Sequence, residues 1–110
     1  MQELLQKAIS IAHNSHKNQY NVNGEPYILH PMRIMLKTKN EEQMITAVLH
    51  DVVEKSDIEL DHLEIEGFNK DILAAVDALS RKNDELYDSY INRVLKNKLA
   101  IKIKVIDLMD

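Results

Sequence analysis

The sequence predicts a single all-α domain, and three observations carry that expectation. Its 110 residues are one domain's length of chain, enough to bury roughly two thirds of the surface exposed on unfolding. Only two glycines and two prolines interrupt it, few for an all-β fold with its many turns. The apolar residues recur mostly at three- and four-residue intervals, the period of a helix with one buried face.

Taken in order, residues 2–17 carry Leu4, Leu5, Ala8, Ile9, Ile11 and Ala12 in a broad helical stripe. The polar run from Asn18 to Glu25 predicts a loop. Pro31 suits the first turn of a short helix through Ile34, Met35 and Leu36, because its missing N–H is not needed there. His30 then stands at the helix entrance. Residues 41–54 predict a third helix with Met44, Ile45, Val48, Leu49 and Val52 on one side. Ser56 and Glu59 have capping-box spacing for a short helix that Gly67 ends. Asn69 is placed to cap a helix holding Ile72, Leu73, Val76 and Leu79, and Asp84 one holding Leu86, Tyr87, Tyr90, Ile91, Val94 and Leu95. Residues 99–106 fit two patterns: Ile101, Ile103 and Val105 alternate like a strand, whereas Leu99, Ile103 and Ile106 fit a helix. Met32, Met35, Met44, Tyr87 and Tyr90 are expected in the core.

Composition narrows the function. With no cysteine, disulfides and thiolate metal sites are excluded and a reducing compartment, the cytoplasm, is expected. The opening MQELLQKAIS has neither the apolar run of a signal peptide nor the acid-poor character of a transit peptide. No apolar run approaches the ~20 residues of a membrane span. A net charge of −4 with both signs interspersed disfavours DNA or RNA, so a small phosphate ligand would need a local cation, above all a metal.

The third helix carries a polar cluster at its end, His50, Asp51 and Glu54. On a continuous helix with Met44 at zero, the apolar stripe covers about 0–140°, and His50, Glu54 and Asp51 fall at roughly 240°, 280° and 340°. Ala47 lies among them and leaves room above the helix. Such a face is either solvated or a partial metal site, and two ligands rarely hold an ion, so others are needed from His13, His16, His30, His62 and the acids. His30, fixed by Pro31, is the best placed. Asp107 is the other, because an unpaired carboxylate among Val105, Ile106 and Leu108 would be costly to bury. His13 and His62 are expected to be ordinary surface or helix residues.

A His, a His-Asp doublet and a distant Asp form a pattern similar to that of the HD phosphohydrolase superfamily. The chain most resembles the RelA/SpoT hydrolase domain and its stand-alone relatives, the small alarmone hydrolases. The resembling stretches are His16-Lys17-Asn18-Gln19 with Gly24-Glu25-Pro26-Tyr27-Ile28-Leu29-His30-Pro31, then Ala47-Val48-Leu49-His50-Asp51-Val52-Val53-Glu54, then Lys104-Val105-Ile106-Asp107. The resemblance implies an all-α HD helical bundle over residues 1–110, with the last segment helical. It implies that His30, His50, Asp51 and Asp107 ligate one divalent ion, manganese first, with Fe, Co or Zn compatible. It further implies removal of pyrophosphate from the 3′ position of (p)ppGpp, with Glu54 orienting the attacking water and a nucleotide phosphate, not nucleic acid or membrane, as partner. A homo-oligomer is compatible with it.

The chain departs from the family pattern at three places. Lys55 follows Glu54 where the family has Asp; it can pair with Asp51 four residues back, bind a substrate phosphate, or face water. Asn21 and Val22 stand where the family has the Arg-Lys pair that contacts the guanine. The family's Asn four residues beyond the last ligand falls after Asp110, so either the domain is cut short or that contact is absent. Candidate substrate contacts are Asn21, Tyr27, Arg81 and Lys104, with Arg81 matching the family's Thr-Lys position. Two rivals remain to a metal-dependent phosphohydrolase: a catalytically weakened domain that binds nucleotide or metal, and a structural bundle whose polar cluster only completes hydrogen bonds.

Overall fold

Eight helices follow one another through residues 2–110, the part of the chain that the computed structural model describes. They are α1 (Gln2–Ser15), α2 (Leu29–Leu36), α3 (Glu41–Leu49), α4 (Val52–Lys55), α5 (Leu60–Ile65), α6 (Lys70–Leu79), α7 (Tyr87–Leu95) and α8 (Lys98–Met109). No strand occurs among the described residues, only an isolated antiparallel bridge between Tyr20 and Pro26. The fold is an all-α, HD-like bundle, and the ambiguous last segment is helical. No helix among the described residues is long and apolar enough to cross a membrane.

The middle of the bundle is α3, which packs against α1, α2, α6 and α8. Its last five residues, Ile45 to Leu49, are therefore all buried, Thr46 included, whose hydroxyl is satisfied by the Glu42 carbonyl at 2.8 Å. Ala8 and Ala12 on α1 are fully buried, and such small side chains let two helix axes approach closely. Ile34, Leu63, Val76 and Ile103 bring α2, α5, α6 and α8 into the same core. Met35 is buried, while Met32 and Met44 are partly buried against the core.

Asparagine begins three helices. Asn40, Asn69 and Asn97 each accept, through the side-chain oxygen, the backbone N–H three residues on, at 2.9 Å. Gly67, just past α5, has φ +103°, which a side chain would strain.

Four expectations are corrected. The helix over 41–54 is not continuous: it stops at Leu49 and resumes as α4, with Asp51 at φ −105°, ψ 0°. The His50 ring takes the Ala47 carbonyl at 2.6 Å, and the His50 N–H reaches the same carbonyl only at 3.4 Å, so the regular ladder is lost there. The capping box uses Glu59 and His62, not Ser56 and Glu59. Ser56 is instead spent on ending α4, donating to the Val52 carbonyl at 2.6 Å. Asp84 does not cap α7; it has φ +63°, and Leu86 is the capping residue. The reason is Arg93, whose guanidinium holds the Asp77 and Ser80 carbonyls and the Glu85 carboxylate and so winds residues 80–86 into a turn of their own. Finally, Tyr87 is not core: it is 48 % exposed, whereas Tyr90, one turn on, is buried.

Candidate metal centre

Three helical elements bring the polar residues together. His30 is the second residue of α2, whose entry is set by the Tyr27 carbonyl accepting the His30 N–H at 3.0 Å. His50 and Asp51 form the break between α3 and α4, and Asp107 lies on α8. One ligand atom each from His30, His50 and Asp107 lies within 4.8 Å of the others. His30 Nε2 stands 2.8 Å from Asp107 Oδ1, and His50 Nε2 stands 3.7 Å from the same oxygen. Asp51 Oδ2 faces both rings, 3.0 Å from His50 Nε2 and 4.0 Å from His30 Nε2.

The helix break gives His50 its role. By donating Nδ1–H to the Ala47 carbonyl, the ring leaves Nε2 as the nitrogen aimed at the cluster, and that atom is buried without a hydrogen-bond partner. A neutral imidazole held in this way presents a lone pair, the state a metal ligand needs. An orphaned buried nitrogen between two carboxylates and a second imidazole is a donor set that fits a divalent cation.

The charges agree. Burial would lower the pKa of His50, but the negative charge of Asp51 and the nearness of Asp107 more than offset it and raise the ring to about 10. His30 is raised as well, chiefly by its bond to Asp107. Burial opposes ionisation of Asp51, yet the His50 charge and the Tyr27 hydroxyl hold it down at about 2. Asp107 is likewise held below the carboxylate range: burial opposes this, and the two histidines outweigh it. The site is therefore an anionic pocket that calls for positive charge, whether protons or a metal.

Beside the cluster is a cleft of about 240 Å³. Glu54 lines it, with Oε1 accepting the Arg81 N–H at 2.7 Å. Arg81 lines it too; its Nε donates to the Glu85 carbonyl at 3.0 Å and its guanidinium lies 5.6 Å from the centre of the Tyr87 ring. Lys104 reaches Asp107 Oδ2 at 3.2 Å and lies over Tyr90, while Tyr27 donates its hydroxyl to Asp51. A larger groove of about 580 Å³ between Glu42, Asp71 and Lys102 is far poorer in chemistry, holding no histidine.

Two candidates lie elsewhere. Asn21 does not line the cleft; its side-chain oxygen accepts the N–H groups of Asn23 and Glu25 and shapes its own loop. Lys55 also stays off the cleft wall and makes no ion pair with Asp51, because its ammonium lies over the Tyr27 ring, 5.2 Å from the centre. Sequence reasoning missed Tyr87 as a wall of the cleft. It also missed Arg33 and Asp110, which join on the far side of His30. Their signal was present in the spacing: Arg33 is three residues past His30 on the face of α2, and Asp110 three past Asp107 at the end of α8. His16, buried and bonded to Gln19 at 2.8 Å, packs against Tyr27 rather than joining the cluster.

No protein-family model matches the chain. Curated proteins to which it is similar are named for (p)ppGpp 3′-pyrophosphate hydrolysis or, in one case, for synthesis and hydrolysis both. The guanosine-3′,5′-bis(diphosphate) 3′-pyrophosphohydrolase of Vibrio cholerae is 32 % identical over 120 aligned positions, covering 98 % of this chain. The bifunctional (p)ppGpp synthase/hydrolase SpoT of Escherichia coli is 32 % identical over 96 % of the chain, and the Aquifex aeolicus 3′-pyrophosphohydrolase 28 % identical over 98 %. The chain spans only 17 % of the length of each of these relatives.

Proposed function

Given that the chain is a relative of the RelA/SpoT-type (p)ppGpp 3′-pyrophosphohydrolases, we propose that residues 1–110 are a single HD domain and a metal-dependent phosphohydrolase. Its substrate class is a nucleotide carrying a 3′-pyrophosphate, (p)ppGpp first, or a related phosphate ester. The observation that carries this reading is the convergence of His30, His50 and Asp107 beside a cleft shared with Glu54, Arg81 and Lys104.

In this reading His30, His50, Asp51 and Asp107 hold one divalent ion. Two imidazoles and two carboxylates suit manganese, with Fe, Co or Zn compatible. When bound, the ion supplies Lewis acidity toward a phosphoryl oxygen and lowers the pKa of water. Water adds to the phosphorus next to the ribose, the bond from that phosphorus to the 3′ oxygen breaks, and the oxygen leaves with a proton. Glu54, anchored by the Arg81 N–H, accepts the proton of the attacking water. Arg81 and Lys104 face the negative charge on the phosphoryl oxygens of the pyrophosphate under attack. A cleft of about 240 Å³ is smaller than the roughly 300–1,000 Å³ that encloses a drug-sized ligand, so it holds the phosphates and leaves the nucleoside at the rim near Tyr87. The absence of cysteine and the net charge of −4 support a cytoplasmic setting without nucleic acid as partner.

The test is manganese-dependent pyrophosphate release from ppGpp, with a chelated sample and Asp51→Ala beside it. Turnover is expected in the wild type and lost in both controls. One observation favours a second reading, a nucleotide- or metal-binding module: Lys55 stands where the resembling family has an acid. Tight metal binding without turnover would select it.

A further inference from the structure

Resting on the metal-site reading and deepening it, we infer that Arg33 and Asp110 are positioning residues that present His30 to the ion through Nε2. Asp110 Oδ2 lies 2.7 Å from His30 Nδ1, while the other ring nitrogen lies 2.8 Å from Asp107 Oδ1. The imidazole is thus bracketed by two carboxylates, Asp107 of α8 and Asp110 just past its end, one on each nitrogen. Asp110 in turn is held by both prongs of Arg33, Nε to Oδ1 at 2.9 Å and Nη2 to Oδ2 at 2.8 Å. With these partners around it, the Asp110 side chain is only 6 % exposed.

The arrangement follows from helix geometry. His30 and Arg33 share one face of α2, Asp107 lies in the last turn of α8 with Asp110 capping its end, and the two helices meet there. A ligating imidazole needs its lone pair on one nitrogen and its hydrogen on the other, and an acceptor beside the second decides which is which. For His50 that acceptor is the Ala47 carbonyl, within its own turn. For His30 it is a carboxylate 80 residues away. One imidazole is set by local backbone, the other by the docking of α8 on α2, and Arg33 keeps the Asp110 carboxylate from rotating away.

The test is Co²⁺ binding, followed by calorimetry and by visible absorption, with ¹⁵N NMR of the metal-loaded protein to report which nitrogen of His30 carries hydrogen. Asp110→Ala should weaken cobalt binding by about 10- to 100-fold and broaden or remove the His30 Nδ1–H signal. Asp110→Asn, which keeps an acceptor oxygen, should recover part of the loss. Arg33→Gln, at a side chain 45 % exposed and so tolerant of change, should lie between wild type and Asp110→Ala. Wild-type affinity in both Asp110→Ala and Arg33→Gln, with the Nδ1–H signal unchanged, would overturn the inference and leave the metal site standing. A wild type that binds no cobalt, or that binds it equally well as His50→Ala, would instead remove the site itself and the inference with it.

Discussion

The hydroxyl of Tyr27 donates a hydrogen bond to Oδ2 of Asp51, tying the loop before α2 to the break between α3 and α4. The same oxygen faces His50, so one carboxylate serves a structural partner and the His and Asp cluster together. Tyr27→Phe deletes the donor and leaves a buried carboxylate under-satisfied. The metal-free variant should lose about 1–3 kcal/mol in urea unfolding. The acid limb should move as well. Asp51 is held at about 2, below its ordinary 3.8, so it contributes stability above pH 3.8 that is lost as pH falls toward 2. Without Tyr27 that contribution should be smaller and its loss complete at a higher pH.

At the proposed metal site, an ion would compete with protons for the same two rings. His50 is raised to about 10 from 6.5, so in the metal-free protein its contribution is complete below pH 6.5 and is lost as pH rises toward 10. An ion can bind only once the ligating nitrogens are free of protons. Manganese binding at pH 7 should therefore release roughly one to two protons, from His50 and His30, and affinity should rise between pH 6 and 9. Calorimetry in buffers of different ionisation enthalpy measures the release directly; binding heats independent of the buffer would contradict it.

Arg93 touches nothing in the cleft, yet it anchors the turn that carries Arg81. It donates to the Asp77 carbonyl at 2.9 Å and the Ser80 carbonyl at 2.8 Å, and its charge and bonds hold Glu85 at about 2. Arg93→Met should free residues 80–86. The expected result is a raised KM for ppGpp and a lower kcat, because the turn carries the Arg81 side chain and also the N–H that anchors Glu54. An unchanged kcat would mean that Glu54 needs no such anchor.

Lys55→Asp separates the readings of the position after Glu54. The lysine packs on Tyr27 and lies off the cleft wall, so restoring an acid there should raise turnover. A fall of about tenfold or more in kcat/KM would place the lysine on the substrate instead.

Much of the fold was legible because helices are written locally. The stripe on α6, the Asn69 cap and the Gly67 stop each need only residues within two turns, and all appear as expected. The failures lie where a distant group overrides the local pattern. Asp84 has a capping residue's chemistry, but Arg93 reorganises the turn around it. Tyr87 keeps the period of a buried stripe, yet it lies over the cleft, touched by the Arg81 guanidinium and the edge of the stripe at Tyr90, and stays half exposed.

The sequence by itself determined an all-α domain and the residue types of an anionic, imidazole-bearing cluster, because periodicity, caps and motif spacing are short-range properties of the chain. Only the tertiary structure decided that α3 breaks at His50 so that Nε2 faces inward, that Tyr27 and not Lys55 holds Asp51, and that Asp110 with Arg33 backs His30. The Tyr27–Asp51, Arg33–Asp110 and His30–Asp110 pairings join residues 24 to 80 positions apart. No periodicity encodes them, because they exist only once apolar burial has docked α2 and α8 around α3.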